Sequence, residues 1–337
     1  MRDRSHDPAT GAMRSDLLTG LRTFLTEYLA PATPPGLSAV EVRRAVGRVH
    51  NQYQRASYAS AALLLPDVLS QATAFAESSA GIHRTRAFRM LAAAYVAASK
   101  LAVKVGDGDT AILAADRAST AARIANDRPL AAVAAYQVAC GLMRLPGRSA
   151  DADQIVRTSI DHLAATGQVT SPDLLSAHGA LLLLAAVMAA GQGNSQEAAH
   201  FLTRAQTLAS ILGTDRNRLW TGFGPTNVVI HEVSTANRAG NGELALEIGS
   251  RLDTSRLPTV LTGRRAQVHI DMAEAVLGSA GDRAISVLHL LEAERVAAEC
   301  VQVNVQARTV LLDLLAKERR TATPGLRPLA ERAGLLT

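Results

Sequence analysis

Asn227, His231, Ser234 and Arg238 are separated by four, three and four residues, the spacing that lines side chains along one face of an α-helix. Val229, Ile230, Val233 and Ala236 form the opposing apolar face. Just upstream, Leu219 to Asn227 gathers the chain's single tryptophan, Trp220, with Phe223, Gly222, Gly224 and Pro225. A flexible backbone carrying rare aromatics beside a polar stripe is the make-up of a binding loop. The Asn227 carboxamide can donate and accept at once, which suits a peptide backbone. Trp220 and Phe223 would supply an apolar wall, and His231 a group whose charge can change near neutrality. Two readings of Trp220 stand open: wall of a groove, or cap of the core between the fourth and fifth pairs with the polar stripe simply solvated. Weaker stripes occur at Gln137 with Arg144, and at Arg264, Gln267 and Asp271; Arg264 joins the candidate contacts, and an ordinary solvated face is the competing reading of each.

Signatures of catalysis are missing from the sequence. No Gly-Lys pair exists, so there is no phosphate-binding P-loop, and the four GxG sites lack a third glycine. There is no GxSxG elbow, and His231-Glu232 meets Thr235 where a zinc-binding HExxH would need its second histidine. Asp107/Asp109 and Asp151/Asp153 lack the remainder of a calcium loop and read as helix caps and first-turn acids. The expectation is a non-enzymatic protein with no cofactor and no metal.

The elements that must position these residues are helices. Turns at Gly106-Asp107, Pro146-Gly147, Gly191 to Ser195, Gly240-Asn241 and Gly281-Asp282 punctuate the chain, their leading glycines 41 to 49 residues apart. Between them run Ala/Leu-rich stretches of helical period. A recurring turn at this interval predicts stacked helical hairpins: an all-α, right-handed α-solenoid of about six pairs, tetratricopeptide-like, with armadillo and HEAT units of similar period as alternatives. The predicted pairs cover 38–56 and 59–78, 84–105 and 109–125, 129–145 and 150–166, 172–190 and 195–212, 224–239 and 242–251, and 257–279 and 282–297. A helix over 299–318 and a short one over 324–335 close the array, giving a repeat domain over 37–337. Residues 1–36 form a separate lead: a disordered start, one amphipathic helix from Ser15 to about Leu29, and a proline-rich linker. Leu91, Tyr95, Leu183, Leu288 and Leu291 are predicted core residues.

Apolar residues make up 48% of the 337, enough for a continuous core, while aromatics at 3% leave it to Ala, Leu and Val. The formal charge of +5 comes with only three lysines, Lys100, Lys104 and Lys317, and no basic stripe of the kind that tracks DNA. Cys140 and Cys300 stand alone, which fits a reducing compartment and a cytoplasmic location. The N-terminus has no apolar core of a secretion signal, and the run Ala180 to Ala190 is shorter than a membrane span, so no membrane association is expected.

The stretch Trp220-Thr221-Gly222-Phe223-Gly224-Pro225-Thr226-Asn227-Val228-Val229-Ile230-His231 resembles the W-T-x-F-G-P-T-N-V-x-x-H segment of actinobacterial regulators that join an Xre-type helix-turn-helix to tetratricopeptide-like repeats. Val49 to Tyr58 is similar to that family's first repeat helix, and Arg327 to Leu335 to its closing helix. The likeness runs from about Leu37 to the C-terminus. It implies a sensory domain whose concave groove takes a peptide, a protein partner or a small molecule, with a homodimer as one assembly. About 36 residues precede the repeats, too few for the family's DNA-binding domain, so this chain alone is expected not to bind DNA sequence-specifically. A protein–protein scaffold without a ligand-controlled state is the alternative; an all-α enzyme is the third.

Overall fold

The computed structural model describes residues 16–27, 38–165, 171–279, 281–318 and 323–336. The expected disordered start and the proline-rich linker lie outside them. The described residues fold into sixteen α-helices with no β-strand: α1 (Thr19–Thr26), α2 (Ala39–Gln54), α3 (Tyr58–Ser78), α4 (Gly81–Val105), α5 (Gly108–Ile124), α6 (Arg128–Leu142), α7 (Ser149–Ala164), α8 (Pro172–Gly191), α9 (Ser195–Leu212), α10 (Pro225–Arg238), α11 (Gly242–Ser250), α12 (Thr262–Gly278), α13 (Arg283–Val296), α14 (Ala298–Val303), α15 (Val305–Ala316) and α16 (Leu326–Arg332).

The recurring turns work by one device. Gly106 takes φ +90° to end α4, and Asp107 then caps α5 by accepting from Thr110 N. Gly240 (φ +75°) and Asn241 do the same between α10 and α11. A left-handed residue is nearly free for glycine, and the Asx side chain satisfies an otherwise unpaired N–H of the next helix. Ser38 and Glu41 form the expected capping box of α2.

Two expected boundaries move. The closing helix breaks at Asn304, whose extended backbone lets its side chain accept from Gln306 N and start α15 afresh. The helix expected from 257 starts at Thr262, after a 3-10 turn at Thr254–Arg256 and Pro258.

Adjacent helices pack as antiparallel pairs, and the first helix of each pair also packs on the first helix of the next: α2 on α4, α4 on α6, α6 on α8, α8 on α10, and α10 on α12. The series returns on itself, because α12 packs on α2. At this junction the Tyr58 hydroxyl lies 3.2 Å from Cys300 Sγ, and Ala59 N donates to Glu299 Oε2 at 2.8 Å. A side chain at Gly263 would sit 3.3 Å from Gln54 O, so glycine permits the close approach.

The core is rich in small residues and falls into a main cluster and a second one between α10, α11 and α12, with α8 buried on most of its surface. Leu91, Tyr95 and Leu183 are in it, as expected. Leu288 is not. It is 62% exposed, because α13 turns Val287, Leu290 and Ala293 inward and Leu288 lies a third of a turn away; Leu291 is half-buried. By length and composition α3 and α8 are each able to cross a membrane, which the apolar run alone did not suggest, but 78% of the apolar window of α8 is buried inside the fold. The amphipathic helix α1 docks on α3 and α5, with Leu18, Leu21 and Leu25 buried and Arg22 paired to Asp107 at 2.7 Å.

Candidate functional site

The ring of first helices encloses a cavity of about 340 Å³ to which α2, α4, α6, α8, α10 and α12 all contribute side chains. The polar stripe of α10 faces it in full: Asn227, His231, Ser234 and Arg238 all line the cavity. The two weaker stripes face it as well, since Gln137, Arg144, Arg264, Gln267 and Asp271 line it instead of a solvated outer face.

The loop before α10 folds into this space. Asp215 fastens its base by accepting from Thr226 N at 2.9 Å and from Thr226 Oγ1 at 2.6 Å. A side chain at Gly224 would approach Asp215 Oδ1 to 2.5 Å, so only glycine fits beneath the carboxylate. Leu219 and Trp220 hold φ of 48° and 55°, left-handed values that cost non-glycine residues about 1–3 kcal/mol each. The strain is held by hydrogen bonds from the ring. Lys100 Nζ donates to Trp220 O at 2.5 Å, Gln54 Nε2 donates to the same oxygen at 3.3 Å, and Gln54 and Asn217 exchange amide hydrogen bonds of 2.7 and 2.6 Å.

Trp220 is half-buried and packs on the first helical pair, not between the fourth and fifth. Its ring stacks on the buried His50 and it also lines the cavity. Phe223 does not contact the cavity. It is fully buried, its ring seated where Gly179 of α8 has no side chain; a Cβ at Gly179 would fall 2.0 Å from the ring. Its expected role as a groove wall is therefore replaced by a core role.

His231 is also unlike the expectation. Burial, followed by the charge of Arg264, pushes it down to about 3, so it is neutral near pH 7; its Nδ1 lies 2.8 Å from Asn227 O.

Sequence reasoning missed the α4 contribution. Two of the chain's three lysines, Lys100 and Lys104, lie one helical turn apart and both line the cavity. Their spacing amid an Ala-rich helix was the available signal. Burial pushes Lys100 down to about 7, helped by the charge of Arg264. Burial also lowers Lys104, and Arg264 and Arg144 add to the effect.

The cavity's acids serve a separate network. Asp271 is buried and accepts from Gln267 Nε2, Gln306 Nε2 and Ser234 Oγ, each at 2.9 Å. Gln306 Nε2 donates also to Glu274 Oε2 at 2.6 Å, and Asn304 Nδ2 to Gln267 Oε1 at 2.7 Å. Burial raises both carboxyls above their ordinary values. Cys140, half-buried in the cavity lining, is a free thiol raised to about 11 by burial. Among the described residues no group of His, Cys, Asp or Glu is arranged to hold a metal ion. No protein-family model, curated protein or solved structure matches the chain.

Proposed function

We propose that this chain is a non-enzymatic ligand-sensing protein: a right-handed solenoid of tetratricopeptide-like helical pairs, related to the sensory part of helix-turn-helix regulators, whose ligand occupies the central cavity. The observation that carries the reading is convergence. Five of the six first helices turn polar or charged side chains onto one cavity, α8 adds an apolar wall, and the first pair meets the last around it. Asn227 is almost wholly buried, lines the cavity, and leaves its Oδ1 without a partner. Unpaired buried carboxamides cost stability and are kept where a ligand completes them.

Size narrows the ligand. A cavity of about 340 Å³ is at the small end of ligand sites and suits a small molecule or one or two residues of a peptide, not a folded partner. A pure scaffold would need no enclosed polar lining. The cavity opens where Arg144 and Arg238 are exposed, and occupancy would act on the contact between the first and last pairs, giving a route from ligand to partner surface. The test is native mass spectrometry of the full chain purified without denaturation, with Asn227→Ala alongside. A co-purifying small molecule lost from Asn227→Ala at unchanged melting temperature supports the reading. Bare protein in both, with no gain in stability from a metabolite library, counts against it.

A further inference from the structure

We propose that the cavity's ligand is a small organic anion, with its carboxylate or phosphate held between the α4 lysines and Arg144 and Arg264, and its apolar part against Val103 of α4 and Val187 of α8. This rests on the ligand-binding reading above and names the class of ligand.

The cavity lining carries more positive charge than negative. Lys100, Lys104, Arg144 and Arg264 come from three different helical segments and line one cavity. Every ion pair among the described residues is made elsewhere. Asp271 and Glu274 line the cavity too and offset part of this charge, Asp271 acting on Arg264 and Lys104, but with Arg238 the lining holds five cations against these two acids. Cations gathered in a partly desolvated cavity repel one another, and the protein offers them only the neutral acceptors Trp220 O and Gln267 Oε1, both to the lysines. An anion supplies the missing charge, and the guanidinium fork is matched to carboxylate and phosphate.

A second observation is independent of charge. Gln137 and Asn227 are nearly fully buried and line the same cavity, and Asn227 Oδ1 has no hydrogen-bond partner. Their NH2 groups are donors suited to the anion's oxygens, while Asn227 Oδ1, an acceptor, calls for a donor such as water or a hydroxyl on the ligand. The remaining wall is apolar, formed by Val103, Leu183, Leu184 and Val187. An inorganic ion would leave that wall against water, whereas an acid with a short apolar body covers both surfaces. A nucleic acid or another polyanion does not fit within about 340 Å³.

The experiment titrates the full chain with hexanoate, benzoate and hexyl phosphate, and with the neutral hexanamide and benzamide. Binding is read by melting temperature and by emission of the single tryptophan. The expected result is that an acid binds, that its amide binds roughly tenfold or more weakly, and that Arg144→Gln/Arg264→Gln loses the preference. The carboxylate and phosphate arms tell the two acid groups apart. The unliganded double variant should melt at or above the wild type, since like charges are removed; Arg264→Lys, which keeps the charge, should retain part of the binding. Equal binding of acids and amides, unchanged acid binding in the double variant, or no response to any acid overturns the proposal. In those cases a neutral molecule found by native mass spectrometry leaves the ligand-binding reading standing, whereas an empty cavity throughout removes both.

Discussion

The indole of Trp220 lies flat on the imidazole of His50, ring centroids 3.6 Å apart and planes 3° from parallel. His50 Nε2 donates to Ala93 O at 2.9 Å, so the stack is anchored to α4, and Lys100 of that helix holds the Trp220 carbonyl. The loop before α10 is thus clamped from the first and second helical pairs, far away in sequence. A double-mutant cycle of His50→Ala and Trp220→Phe should show a coupling of about 0.5–1.5 kcal/mol in chemical denaturation. Since Trp220 is the only tryptophan, its emission should shift when the cavity is filled. An additive cycle, or emission blind to a bound ligand, would contradict this placement.

Stability should fall as the solution is acidified below about pH 6.5. Burial lowers His50 well below the ordinary value, His178 to about 4 and His231 to about 3. Each binds a proton more readily when unfolded, so the unfolded state gains protons first and stability rises with pH across this window. His178→Gln should flatten part of the slope between pH 6.5 and 4, measured by urea denaturation at each pH.

Lys100 gives the complementary dependence at alkaline pH. Its folded value of about 7 lies below its ordinary 10.5, so the cost of burying the charge is fully present below pH 7 and fades as pH rises toward 10.5. Lys100→Met should flatten the rise in stability between pH 7 and 10. Because an anion would favour the charged lysine, ligand binding near pH 8 should take up protons, which calorimetry in buffers of different ionisation enthalpy detects.

Gly179 and Phe223 should fail together. Gly179→Ala drives a methyl into the Phe223 ring and should cost about 1–3 kcal/mol or more. Phe223→Ala empties a fully buried site and should cost about 3–5 kcal/mol. A Phe223→Ala protein that melts normally but binds poorly would return Phe223 to the cavity wall.

The two leucines of α13 test its orientation. Leu288→Ala, at an exposed position, should change stability by about 0.5 kcal/mol or less, while Leu290→Ala, at a fully buried one, should cost about 2–5 kcal/mol. Equal losses would mean that α13 turns a different face inward.

Local chemistry made the helices legible from the sequence. The glycine that ends a helix and the Asp or Asn that caps the next act within a few residues, so Gly106-Asp107 and Gly240-Asn241 marked their turns without tertiary information. The stripe of α10 was equally local, because helical geometry alone puts Asn227, His231, Ser234 and Arg238 on one side. Which way a stripe faces is a different matter, since an apolar or polar face is defined only by what packs against it. Arg264, Gln267 and Asp271 resemble a solvated face until α12 meets α2 and closes the ring over them. Leu288 and Phe223 were misplaced for the same reason. The period of α13 did not say which of its leucines the neighbours cover, and nothing near residue 223 announced that Gly179, on another helix, leaves room for its ring. The sequence by itself determined the helices, their order and their pairing. Only the tertiary structure decided that the first helices line one cavity, because that depends on α12 reaching α2, a contact between segments about 200 residues apart that no local pattern encodes.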